Sequence, residues 1–271
     1  MSPNTVASYS SDVRKFFDAV DALPSEVTAK VIGDYLSSLD GVSKRSQARL
    51  LSSLRSFFDW QILEGERKEN PCDPIDSPKM SRYLPTVLSV SEVGAIMESV
   101  DLSSWTGKRD RAILEVLYGC GLRVSEAVGL RISCVYLDES FVRVVGKGNK
   151  ERIVPMGEMA SSAVRNYLAV RPEAAGREFE DILFLNRFGK SLSRVSMFSI
   201  VKRQAMLAGI HKEISPHTFR HSFATHLIEN GADLRVVQDM LGHENITTTE
   251  IYTHIDSSTW QQSVLSHHPR R

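Results

Sequence analysis

Pro71, Pro74, Pro78 and Pro85 fall between Asn70 and Leu88, so four of the ten prolines of this 271-residue chain share one short stretch. Each proline removes a backbone donor and disfavours helix at the residue before it, and no helix runs through that spacing. The stretch therefore reads as a linker between two folding units. The length agrees, being generous for one core and comfortable for two. The expected division is an N-terminal helical domain over 1–80 and a second domain over 81–271.

Composition narrows the class without naming a function. Apolar content of 42% and charged content of 24% are ordinary for a globular protein. No apolar run is long enough to cross a bilayer and no signal-peptide pattern opens the chain, so a cytoplasmic protein without membrane contact is expected. Cys72, Cys120 and Cys134 are odd in number and lack metal-ligand spacing, which fits a reducing compartment. Lys+Arg and Asp+Glu both total 33, with 10 basic and 12 acidic residues in 1–80 against 23 and 21 in the rest. A nucleic-acid partner is not visible in that balance, and any such contact must come from local clusters.

Before the linker, apolar spacing predicts three helices. The first covers 3–20 through Val6, Tyr9, Val13, Phe16, Phe17 and Val20. The second covers 26–39 through Val31, Ile32, Tyr35, Leu36 and Leu39, and the third covers 43–63 through Leu50, Leu51, Leu54, Phe57 and Phe58. The third opens with Ser43, Lys44, Arg45 and Ser46, with Arg49 one turn on. Hydroxyls, amides and cations at a helix start suit a phosphate, and a solvated helix end is the plain alternative.

After the linker, Ser91 with Glu92 is expected to open a helix to about Val100, and Lys108 to Tyr118 forms another. The latter stops at Gly119-Cys120-Gly121, and Arg123 and Glu126 follow at once. A glycine-limited turn holds the backbone of Arg123 while its fork points outward. Glu126 can brace it from three residues on, although an ordinary surface ion pair has the same spacing. Phe141–Val145 and Arg152–Val154 are β-rich runs around Gly146-Lys147-Gly148-Asn149-Lys150, a hairpin presenting Lys147 at its tip. Such a lysine either keeps a loop soluble or lets a ligand approach closely. Helices follow around 158–170 and 193–209.

The last quarter carries the densest set of signals. Ser215-Pro216 is an N-cap with proline at the first helical position, and Phe219, Phe223, Leu227 and Ile228 recur at helical spacing until Asn230-Gly231. Asp233 caps a helix with Val236, Val237, Met240 and Leu241 inward, ended by Gly242. Thr247 and Glu250 have the spacing of a capping box for a third, short helix. His217, Arg220, His243 and Tyr252 sit on or beside these helix ends. A cationic fork, two imidazoles and a phenol brought together in this way look like a site for a phosphate and a nucleophile.

The ordered set of an arginine, a hairpin lysine, His-x-x-Arg, a histidine after Leu-Gly and a tyrosine nine residues later resembles the tyrosine recombinase (phage-integrase-type) family. The matching text is GLRVSEAVGL, VVGKGNKERIVPMG, SPHTFRHSFATHL, GADLRVVQDMLGH and TTTEIYTH, with a closing HHPR. It spans essentially the whole chain and is most similar to the bacterial XerC/XerD branch, XerD in particular. The resemblance implies a mainly α fold with a small β-hairpin or sheet. An N-terminal helical, SAM-like core-binding domain would precede a C-terminal α+β catalytic domain. It implies that Tyr252 attacks a DNA phosphodiester, leaving a 3′-phosphotyrosyl link and a free 5′-hydroxyl. Arg123, Arg220 and His243 would hold the phosphate, Lys147 would protonate the leaving oxygen, His217 would assist the phenol's proton, and Glu126 would brace the site. No cofactor or metal is implied.

The implied partners are double-stranded DNA with inverted half-sites, a homo- or hetero-tetramer with a second, XerC-like recombinase, and an FtsK-like DNA translocase. The implied role is chromosome-dimer resolution, with mobile-element integration as the alternative within the family. The family's N-terminal domain usually begins with one more helix than this sequence shows, from which weaker clamp closure or protomer contact on that face, or a short gene start, is expected. Residues 259–265 carry an apolar stripe read as a helix that docks on a neighbouring protomer, with packing on its own domain as the alternative. Three rival readings remain: type IB topoisomerase-like strand relaxation, a non-enzymatic DNA-binding protein, and a histidine-based metal hydrolase. Against the last, His217, His221 and His226 are spaced four and five apart and cannot share one helical face.

Overall fold

A computed structural model describes residues 3–78, 86–146, 150–242 and 266–270. The chain divides into two compact units, Met1–Tyr83 and Leu84–Arg271. The first holds α1 (Pro3–Ala19), α2 (Ala29–Ser38) and α3 (Lys44–Leu63). Thr28 caps α2 and Ser43 caps α3, each side chain accepting from a backbone amide three residues on. Phe16, Ile32, Leu51, Leu54 and Phe58 bury their side chains completely between the three helices, and Phe16 meets Tyr35 edge-on at 5.1 Å. Val6, read as part of the inward face of α1, is exposed, because the first turns of α1 extend past the core.

The proline-rich stretch begins inside this unit. Cys72 is fully buried and Ile75 packs on the same core. Arg55 donates to the Cys72 carbonyl at 3.1 Å, and Asn70 holds the turn through Asp59 at 2.6 Å and the Cys72 amide at 2.9 Å. Over residues 71–78 the backbone is non-helical, as the prolines require, and it is tied down rather than left as a spacer.

The second unit runs through α4 (Val90–Glu98), α5 (Trp105–Gly119), α6 (Val124–Val128), a 3-10 turn (Ile132–Cys134), β1 (Val135–Tyr136), β2 (Phe141–Val145), β3 (Glu151–Pro155), α7 (Glu158–Leu168), α8 (Arg177–Glu180), α9 (Arg194–Leu207), α10 (Pro216–Glu229) and α11 (Leu234–Leu241). Among the described residues the fold is thus mainly helical with one small antiparallel sheet, in order β1-β2-β3. Phe141 pairs with Pro155, Arg143 with Ile153, and Val145 with Glu151. The expected hairpin is present, while β1 was not anticipated, since two residues leave no periodicity to read.

Three helix starts differ from expectation, one of them that of α2, which begins at Ala29 under its Thr28 cap and not at 26. The cap of α4 is Ser89, not Ser91: its hydroxyl accepts from the Glu92 amide at 3.2 Å, and the Glu92 carboxylate accepts from the Ser89 amide at 2.7 Å. Only Ser89 stands three residues before the glutamate, as a reciprocal box needs. The next helix, α5, begins at Trp105 under a Ser104 cap, a turn before Lys108.

At the centre of this core lies α5, with Ile113, Leu114, Val116, Leu117 and Tyr118 fully buried. It packs against α7 and α10, and α11 in turn packs on α10 and β3. The end of α10 is joined to the chain's C-terminal residues. Asn230 donates to the His267 carbonyl at 2.8 Å, the His268 ring lies 5.2 Å from Tyr118 and 5.6 Å from Phe223, and Arg270 pairs with Glu115 at 2.6 Å. The stripe at 259–265 lies outside the described residues. No helix among those described is long and apolar enough to cross a membrane.

Candidate active site

The site is built where α5 ends. Gly121 adopts a left-handed backbone, φ 57°, and a Cβ added there would stand 2.5 Å from a ring carbon of Phe223. Glycine alone lets the turn lie against α10 with that backbone. The chain emerges into α6, whose N-cap position is Arg123. The Glu126 carboxylate reaches back to the Arg123 amide at 2.7 Å and accepts from Arg123 Nη1 at 2.9 Å. The predicted Arg-x-x-Glu brace is therefore real, and Glu126 is buried while Arg123 keeps about a third of its side chain in solvent.

From the second turn of α10, Arg220 enters with only 9% of its surface exposed. Its Nη1 donates to the Gly121 carbonyl at 2.6 Å and its Nη2 to the Leu241 carbonyl. Arg123 Nη2 donates to the next carbonyl, Gly242, at 2.9 Å. Two guanidiniums thus converge on adjacent peptide oxygens, whose Cα atoms are about 3.8 Å apart. These are the unsatisfied carbonyls at the negative end of α11, a natural seat for cations.

A third arginine, which sequence reasoning missed, completes the arrangement. Arg152 on β3 donates from Nε to the Met240 carbonyl at 2.6 Å and from Nη1 and Nη2 to the two Glu126 oxygens at 2.8 and 2.9 Å. Met240, Leu241 and Gly242 therefore each hold one arginine. A signal for Arg152 existed. Strand alternation sets it on the same face as buried Val154, and a cation turned inward needs a partner.

The electrostatics follow from burial and crowding. Burial works to raise the Glu126 carboxyl, and Arg152 with Arg123 outweigh it, holding it below the usual carboxylate range. Arg220 is pulled down to about 9, first by burial and then by the positive charge of Arg123, with Glu126 opposing. Among the described residues, Arg123 and Arg152 bind the one carboxylate with Arg220 behind them, and an anion brought to the exposed side of Arg123 would relieve the excess of positive charge.

The other sequence candidates divide clearly. His217 lies exposed on the first turn of α10, three residues before Arg220 and on the same helical face. Lys147, His243 and Tyr252 lie outside the described residues. The described neighbours of Lys147 and His243 are at the site: a Cβ on Gly146 would be 3.6 Å from Arg152 Nη1, and one on Gly242 would be 3.4 Å from Arg123 Nη1. Gly146 also donates to the Lys150 carbonyl at 2.8 Å, closing the hairpin below its tip. His226 is buried with Nδ1 paired to the Tyr118 hydroxyl at 2.8 Å, whereas His217 and His221 are exposed, so this trio does not converge on a metal.

In the first unit, Ser43 uses its hydroxyl on the Ser46 amide at 3.2 Å, and Lys44 and Arg45 are exposed beside it. Arg49 is bound to buried Asp12 at 2.5 Å, with Ser53 on the same carboxylate oxygen at 2.9 Å. One of its functions is therefore to tie α3 to α1.

Comparison with known proteins places the chain in a family. Residues 86–259 match the phage integrase family, and residues 1–65 match the phage integrase N-terminal SAM-like domain. The chain belongs to the phage integrase family of tyrosine recombinases. Among its curated relatives is the tyrosine recombinase XerD of Staphylococcus aureus, 42% identical over 279 residues that cover 100% of this chain and 94% of that protein. Among solved structures, XerA recombinase matches with TM-score 0.56 at 32% identity, covering 100% of this chain and 94% of that one. XerH site-specific recombinase bound to palindromic difH substrate, a post-cleavage complex, matches with TM-score 0.73 at 26% identity, covering 96% and 78%.

Proposed function

We propose that this protein is a site-specific recombinase that cuts and rejoins duplex DNA through a 3′-phosphotyrosyl intermediate, in the manner of XerD and in the resolution of chromosome dimers. The observation that carries the chemistry is the pair of guanidinium forks, Arg123 and Arg220, held on adjacent carbonyls at the end of α11. Each fork spends two of its five N–H groups on the described residues, and in this reading the rest serve a phosphate between them. The XerH structure, a recombinase bound to its palindromic substrate, supports duplex DNA with inverted half-sites as the ligand.

In this reading the Tyr252 oxygen attacks the scissile phosphorus, and the 5′-oxygen of the next nucleotide leaves. A free phenol has a pKa of about 10 and is mostly protonated at neutral pH, so the proton needs an acceptor. His217, one turn from Arg220, takes that role. Arg123, Arg220 and His243 stabilise the charge that gathers on the non-bridging oxygens. Lys147 protonates the departing oxygen. The phosphotyrosyl bond conserves the phosphodiester's energy, so the 5′-hydroxyl of another strand can reverse the step. The start of α3, with Ser43, Lys44, Arg45 and the solvent-facing N–H groups of Arg49, meets the DNA backbone. A second, XerC-like recombinase and an FtsK-like translocase complete the assembly.

The test is capture of the covalent adduct on a nicked suicide duplex carrying the host's candidate resolution site. Tyr252→Phe is expected to bind that duplex as the unaltered protein does and to form no adduct. Adduct formed at normal yield by the variant would refute the assignment.

A further inference from the structure

Arg152 takes no part in the chemistry just described, yet its guanidinium is more fully committed than either of the other two. Its side chain is 9% exposed on β3. One edge of the planar group closes a two-bond fork on Glu126, and Nε meets the Met240 carbonyl at 2.6 Å. A single rigid plane therefore spans β3, α6 and α11. Glu126 stands between two arginines, with Oε1 shared by Arg123 Nη1 and Arg152 Nη1, and Oε2 shared by the Arg123 amide and Arg152 Nη2. Held by Arg123 alone, the carboxylate could turn about its side-chain torsions and carry that fork with it. Met240 lies two residues before Gly242, whose carbonyl binds Arg123. Arg152 consequently grips Glu126, which Arg123 also binds, and the same helix end through a carbonyl two residues earlier.

We propose that Arg152 is a positioning residue of the strand-cleavage reaction: by holding Glu126 and the Met240 carbonyl together, it sets the Arg123 fork against the end of α11, where Arg220 also docks. The inference rests on the recombinase reading above. Its consequence is a rate effect without a binding effect, because the contacts that hold DNA outside the cleaved phosphate do not pass through Arg152. A second consequence concerns pH. Arg123 and Arg152 face Glu126 directly, Arg220 stands beyond them, and Arg131, Arg143 and Glu151 line the groove on its outer side. With Arg152 gone, burial is opposed by Arg123 as the main remaining partner, and Glu126 takes up a proton at higher pH.

The experiment uses the full chain, as unaltered protein, Arg152→Gln, Arg152→Lys, Glu126→Gln and the Arg152→Gln, Glu126→Gln pair. Single-turnover cleavage of the nicked duplex and affinity for it are measured across pH. Arg152→Gln is expected to cleave about 10- to 100-fold more slowly at unchanged affinity, with the acid limb of its rate profile moved to higher pH. The same change in the Glu126→Gln background is expected to cost far less, since the two act as one unit. A normal rate in Arg152→Gln, an equal loss in both backgrounds, or a parallel loss of affinity would overturn the proposal. If Arg152→Gln does not fold, Arg152→Lys decides, because an ammonium cannot reproduce the planar fork, and a folded lysine variant at full rate sinks the idea. Absence of adduct from the unaltered protein would instead sink the recombinase reading. The clasp is then judged by carbon-13 NMR titration of the Glu126 carboxylate, where an unchanged titration in Arg152→Gln overturns it.

Discussion

Gly121 shows how one residue governs the site. Its left-handed backbone lets the turn after α5 lie on Phe223, and its carbonyl receives Arg220 Nη1 at 2.6 Å. In Gly121→Ala the new methyl would meet the Phe223 ring at 2.5 to 2.7 Å, on top of the left-handed penalty. Overpacking costs about 1–3 kcal/mol and the backbone about 1–2 kcal/mol, so a loss of about 2–5 kcal/mol is expected in urea unfolding. Cleavage should fall further than stability explains, as the carbonyl that orients Arg220 moves. An alanine variant as stable and active as the parent would show that the turn has slack. The neighbouring arginines teach a different lesson about legibility. Arg123 and Glu126 were readable as partners because three residues separate them on a helix start. Arg152 was not, because its partners are 26 and 88 positions away and no local pattern encodes them.

At the scale of elements, α11 is short and its value lies in its end. Asp233 caps it through the Arg235 and Val236 amides, and Gly242 closes it at φ 65°. Both ends were legible, since a carboxylate before a helix and a glycine after it are local signals. What the end does was not legible, because three arginines from β3, α10 and the start of α6 supply the donors. Gly242→Ala is therefore expected to cost about 1–2 kcal/mol for the left-handed backbone, and to push its methyl toward Arg123 and Arg152, with contacts of 3.4 and 3.5 Å before relaxation. Urea midpoints check the first part and cleavage rates the second; a variant that loses stability but not rate would show that the arginines adapt. By the same reasoning α10, with its Ser215 cap and Pro216, was predicted at both ends, and five-residue α6 and two-residue β1 were not. Such elements are too short to display a period.

Across the second unit, the C-terminal residues close over the core beside α5 and α10. His268 is 3% exposed against Tyr118 and Phe223, and burial pushes its imidazole down to about 4. Burial also lowers His226. An unfolded histidine titrates near ~6.5, so between that pH and 4 the unfolded chain binds the proton and the folded one resists it. The associated stability is complete above about 6.5 and is lost as the pH falls through the window. His268 alone accounts for about 2 kcal/mol between pH 7 and 5, above the range where most carboxylates titrate. Thermal midpoints at those two pH values should therefore fall more for the parent than for His268→Phe. Equal falls would mean that His268 is solvated in the native protein.

The proline spacing, helix periods and cap residues specified by themselves two helical regions and most helix ends, and the ordered motif of arginines, lysine, histidines and tyrosine carried the resemblance to the family. These signals act within a few residues of chain and survive without knowledge of the fold. The tertiary structure alone decided that Met240, Leu241 and Gly242 each take one arginine, that Arg152 is the second partner of Glu126, and that Arg49 is bound to Asp12. Those pairings join residues tens of positions apart, and only the packing of α6, α10, α11 and β3, or of α1 on α3, brings the charges within reach of one another.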